Sequence, residues 1–229
     1  MNHVLDNPFW NALNTHHSCF AKGNEAVKYF DNEVAIFAGL KENNSQYLEQ
    51  LYCLLPAGST VILFSVASLD IPYKWEVLSK QKLVQMLYEG KTVDLPLSPQ
   101  IFPLDTAHVG EMMALASLTR PGPFFVRTIA FGGYEGVFDQ KKLVAMAGHR
   151  AKVDHYTEIS AVCTHPDHVG KGYAKTLLNS QIKCILSQER IPFLHVLTSN
   201  VGAIALYKKL GFVIRKEMNV YFIRKTINS

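Results

Sequence analysis

The sequence predicts an α/β fold, on three observations. Tyr156 to Thr164 is an apolar run of strand type that stops at Pro166 and Asp167, residues that suit a turn and cannot extend a central ladder. A short loop, Gly170-Lys171-Gly172, then opens a stretch in which Ala174, Leu177, Leu178, Ile182, Ile185 and Leu186 recur at helical spacing until Pro192. The alternation repeats with the strand-like Phe193 to Leu197 and a second helix started near Asn200 and ended by Gly211.

The earlier elements are less sharply written. Pro8 to Leu13, Ser45 to Leu54 and Lys80 to Leu87 fit either a helix or a strand, whereas Thr60 to Val66 is a continuous apolar run of buried-strand type. Leu95 to Pro103 carries three prolines in nine residues, which favours an extended connector. That connector divides the expected chain into an N-terminal α/β lobe at 1–103 and a second domain at 104–229. Within the second domain, Thr106 to Leu118 is helix-like, and Arg120-Pro121-Gly122-Pro123-Phe124-Phe125 reads as a rigid turn bearing cationic and aromatic groups.

The 229 residues suffice for a substantial core. Cys19, Cys53, Cys163 and Cys184 are scattered, form no C-x-x-C pair and follow no secretory leader, so a reduced, cytoplasmic protein is expected. No apolar stretch approaches the ~20 residues that span a bilayer, so no membrane partner is expected. The net charge of +4 is spread thinly, which argues against a nucleic-acid partner. His149, His155, His165, His168 and His195 fall in one half of the chain without a compact ligand pattern, so no metal is expected.

Chemistry enters at the glycine loop. Glycines let a backbone pass close to an anion, and the N–H groups that open a helix attract one. A strand, then Val169-Gly170-Lys171-Gly172-Tyr173-Ala174, then a helix therefore predicts a pyrophosphate cradle.

Two segments carry a resemblance to the GNAT superfamily of acyl-CoA-dependent N-acetyltransferases, in a bacterial two-lobed branch. Val169 to Ala174 resembles the family's pyrophosphate loop except at its first position, where Val169 replaces a polar residue. Asn200, Ala203, Tyr207, Gly211 and Phe212 match a second motif, Asn-x-x-Ala-x-x-x-Tyr-x-x-x-Gly-Phe, without exception. The resemblance implies a mixed, twisted sheet flanked by helices, with the first lobe a degenerate acetyltransferase-like half. It implies acetyl-CoA as cosubstrate, held by the loop, by Asn200, Ala203 and Tyr207, and by backbone groups of Val162, Cys163 and Thr164 where their strand splays from its neighbour.

The implied reaction is acyl transfer to a primary amine by direct attack. It needs a neutral amine, a stabilised oxyanion and a proton for the departing thiolate. The resemblance makes Tyr207 the proton donor and Glu158 the base. Tyr207 also reads as a core aromatic, and Glu158 as a strand-edge carboxylate paired with Lys or Arg. His149 or His195 replaces Glu158 as base if the glutamate is buried and paired. Cys163 has no evident partner base and reads as a small buried cysteine. Arg120, Phe124 and Arg127 border the expected acceptor pocket, where an arginine can hold a carboxylate. The acceptor is a small-molecule amine or amino-acid-like compound, and a homodimer is left open. A non-catalytic acyl-CoA sensor is the rival reading; a dinucleotide-binding domain is weaker, because its third glycine is missing.

Overall fold

A computed structural model of the chain describes residues 3–90 and 100–226. Two sheets form: a small antiparallel one of β1 (Ala21–Gly23), β2 (Val27–Phe30) and β3 (Ala38–Leu40), and a large mixed one. The large sheet contains β4 (Thr60–Ser65), β5 (Trp75–Tyr88), β6 (Phe102–Pro103), β7 (Glu135–Asp139), β8 (Lys142–Val153), β9 (Tyr156–Thr164), β10 (Ile191–Leu197) and β11 (Phe212–Lys225). Its order is β4-β11-β5-β10-β9-β8-β7-β6, antiparallel except for the β9–β10 pair.

The helices are α1 (Pro8–Asn14), α2 (Ser45–Leu54), α3 (Val109–Thr119), α4 (Tyr173–Ser187) and α5 (Val201–Lys209). Each turns its apolar stripe inward, as a surface helix must. Leu5, Phe9 and Leu13 pack with Leu83, Phe193 and Val220, while Met112 and Leu115 of α3 meet Leu143 and Met146. On the opposite face, Leu178, Ile182 and Ile185 of α4 pack with Val84, Met86 and Leu194. Leu48 and Leu51 of α2 cover Leu63 and Tyr221.

The ambiguous segments now resolve: Pro8 to Leu13 and Ser45 to Leu54 are helical, and Lys80 to Leu87 is strand. Residues 95–99 of the expected connector lie outside the described residues. The large sheet runs across the boundary expected at residue 103. β5 pairs with β10 along one edge and with β11 along the other, and β11 in turn pairs with β4. Strands from the expected first lobe thus complete the same sheet as the glycine loop's own strand.

Candidate active site

β9 and β10 run parallel and pair at Tyr156, Thr157 and Glu158 only, opposite Ile191, Pro192 and Phe193. β10 then follows β5 while β9 follows β8, so the two part beyond Glu158. A bulge helps: the β8–β9 register shifts between Met146 and Gly148, and Ala161 takes φ 53°, a left-handed conformation that is uncommon outside glycine. Between the parted strands opens a cleft of about 480 Å³. Its walls include Val162, Cys163, Thr164, Asn200 and Tyr207, which brings the expected strand and the second motif together. The Thr164 Oγ1 is buried there without a hydrogen-bond partner.

The glycine loop begins α4. Gly170 and Gly172 hold φ of 86° and 82°, and no atom lies within 4 Å of where a Cβ would sit on either. No side chain caps the helix at Gly172, and the first N–H groups of a helix have no partner within it. Val169, Gly170, Lys171 and Gly172 are exposed, and Tyr173 and Ala174 half-buried. The loop therefore presents donors at the positive end of the α4 dipole with room above its glycines, which fits an anionic group. His165 Nδ1 accepts from the Asp167 N–H, and His168 bonds Asp139 at 2.9 Å. Both histidines brace the turn into the loop.

Asn200 caps α5, its side chain accepting from the Ala203 N–H at 3.1 Å. One residue of the second motif thus has a local structural task. Tyr207 packs edge-on against Phe212 and also lines the cleft. Burial pushes its phenol up to about 12, so the hydroxyl stays protonated at neutral pH and is a weaker acid than the ordinary phenol assumed from sequence.

Glu158 is the main departure from expectation. Its side chain is 0% exposed and accepts from Arg150 through Nε at 2.9 Å and through Nη2, from the Ala151 N–H at 3.3 Å, and from His195 Nδ1 at 2.6 Å. Burial raises the carboxyl pKa, but the Arg150 charge and His195 outweigh that and bring it to about 2. Glu158 is thus the buried, paired carboxylate of the alternative reading.

His195 is held on both sides. Gln85 Nε2 donates to Leu5 O and to His195 Nε2 at 2.8 Å, while Arg215 donates to Gln85 Oε1 and to Asp6. A donor against Nε2 requires a neutral ring carrying its proton on Nδ1. Burial lowers the His195 pKa in the same direction. His149, the other alternative base, is buried without hydrogen bonds to its ring and is not part of the cleft wall.

Arg120 lies exposed at the cleft rim beside Pro121. Phe124 packs against Tyr134 in a small adjoining cavity that also reaches Arg150. Arg127 is drawn away from the cleft into a pair with Glu33 at 3.4 Å. Cys163 is buried, and burial pushes its thiol up to about 11, the opposite of an activated nucleophile. Sequence reasoning missed Arg150. Its signal was a charge following His149 in the mostly apolar stretch 143–151, which calls for a buried counter-charge.

The FR47-like protein family matches residues 134–222. A solved structure assigned to the GNAT family of acetyltransferases, from Novosphingobium aromaticivorans, is 31% identical, covering 99% of this chain and 100% of its own, with a TM-score of 0.91. A GCN5-related N-acetyltransferase from Kribbella flavida shares the fold at 15% identity, covering 95% of this chain and 94% of its own, with a TM-score of 0.62. No curated protein matches.

Proposed function

Because the chain belongs to the GNAT family of acetyltransferases, we propose that it transfers an acetyl group from acetyl-CoA to a primary amine within one ternary complex. The observation that carries the donor is the parting of β9 from β10 beside an uncapped helix start whose two glycines leave open space. Val169 to Ala174 hold the pyrophosphate. The unpaired edge of β9 at Val162, Cys163 and Thr164, with Asn200, Ala203 and Tyr207 of the α5 side, takes the pantetheine arm. Bound acetyl-CoA supplies an activated thioester carbonyl.

The chain's own groups then divide the work. N–H groups on the β9 edge face the developing oxyanion, the usual source of electrostatic stabilisation in acyl transfer. Tyr207 gives its phenolic proton to the departing sulfur. Glu158 fixes Arg150 and His195 and is not the base, because a carboxyl near 2 takes up little proton at neutral pH. Both ring nitrogens of His195 are already engaged, so the amine must reach the cleft neutral and release its proton to water. Direct attack is favoured over a covalent enzyme intermediate by the raised thiol of Cys163. Arg120 stands exposed at the rim of the cleft.

Calorimetry with acetyl-CoA on Gly172→Val tests the cradle. A Cβ at this position enters the space the pyrophosphate needs, and affinity should fall at least tenfold in a variant whose circular dichroism remains native. Unchanged affinity removes the loop from the site.

A further inference from the structure

The cleft wall away from the glycine loop comes from three adjacent strands. Phe64 of β4 lies beside Val220 of β11, and Ile62 beside Phe222. Leu83 of β5 continues that surface, opposite Met218. Ile62, Phe64, Leu83, Val220 and Phe222 line the cleft, joined by Phe37. Among the described residues that line it there is no aspartate or glutamate. Its cations are Arg120 at the rim and Arg150 deeper in. Arg150 is neutralised by Glu158, and its guanidinium lies over the Phe37 ring with its carbon 4.8 Å from the centroid.

From this we infer that the acceptor is a primary amine on an apolar body, an alkylamine or arylalkylamine, and that polyamines and small polar amino acids are poor acceptors. The inference rests on the acetyltransferase reading. A polycation finds no carboxylate among the described residues of the wall and meets the charge of Arg120 at the rim, and the Phe37 face that attracts an ammonium is already covered by Arg150. A hydrocarbon body gains by leaving water against Phe64, Val220 and Phe222. An apolar wall also disfavours the ammonium form, so the amine enters as the neutral nucleophile in a cleft whose wall, among the described residues, holds no unengaged side-chain base.

The test is thiol release from acetyl-CoA with propylamine, butylamine, pentylamine and hexylamine, and with 2-phenylethylamine, glycine and spermidine. kcat/KM should rise about fourfold per added methylene, and 2-phenylethylamine should exceed glycine and spermidine at least tenfold. A flat alkylamine series, or preference for glycine or spermidine, overturns the inference and leaves acetyl transfer standing. Thiol release with none of these amines overturns both readings. Phe222→Ser, at a half-buried wall position, should lower 2-phenylethylamine turnover about tenfold and propylamine turnover little. Equal losses for both amines would contradict an apolar acceptor wall.

Discussion

Glu158→Gln tests the buried network directly. The carboxylate accepts from Arg150, the Ala151 N–H and His195 Nδ1, all with its charge out of contact with solvent. Glutamine keeps one acceptor oxygen and turns an NH₂ towards two of these donors. Arg150 Nη2 and His195 Nδ1 share Oε1, and Arg150 Nε and the Ala151 N–H share Oε2. An amide at Oε2 therefore meets two donors from Arg150 and Ala151, and an amide at Oε1 meets Arg150 and the Nδ1–H of His195. If the ring shifts its proton to Nε2, the His195 clash moves to Gln85, whose Nε2 donates there. Neither tautomer satisfies every group, and Arg150, with a side chain 15% exposed, loses its counter-charge. Removing one partner of such a buried pair costs about 3–5 kcal/mol. The assay is urea unfolding of wild type, Glu158→Gln, Arg150→Met and the double variant. The double variant should recover a good part of the sum of the single losses, because it leaves no charge unpaired. Activity of folded Glu158→Gln should fall without a change in the shape of its pH profile. A Glu158→Gln protein as stable as wild type refutes the pairing; one that keeps its stability and loses the acidic limb of the profile restores Glu158 as the base.

Tyr207→Phe removes one hydroxyl and keeps the ring against Phe212. Turnover should fall roughly 10²–10⁴-fold with acetyl-CoA affinity and melting temperature little changed, and retained turnover would make Tyr207 a packing residue. Acid should destabilise the fold through its buried neutral histidines. Burial lowers His17 and His149 from 6.5 to about 4, so as pH falls below about 6.5 the unfolded chain binds protons that the folded chain refuses. Stability is full above that pH and drops towards pH 4, by about 3 kcal/mol for each histidine. Denaturant midpoints that stay constant from pH 7 to 4.5 would show that these rings charge in the folded protein.

The second half of the chain was legible because its signals are local. The strand 156–164, its proline stop, the glycine loop that opens α4 and the Asn200 cap of α5 all sit within a few residues of what they control. The placement of β5 was not legible. Its Leu83, Val84, Met86 and Leu87 fit a buried strand or a helix equally, and its partners, β10 and β11, lie more than a hundred residues on. For the same reason the sequence suggested a lobe boundary near 103 where one sheet is continuous. The pairing of Glu158 failed at shorter range. Arg150 sits eight residues back across the β8–β9 turn, but the register shift between His149 and Lys152 obscures which residues face each other. Arg127 and Arg120 look alike in sequence; only the chain path beside Glu33 takes one away and leaves the other at the rim.

The central claim is acyl transfer to an amine in the cleft between β9 and β10, and product stoichiometry tests it most directly. Incubated with acetyl-CoA and 2-phenylethylamine, the protein should release one thiol for each N-acetyl product found by mass spectrometry, and Gly172→Val should lose both together at limiting acetyl-CoA. Thiol release without N-acetyl product, or product formation unaffected by Gly172→Val, would contradict it.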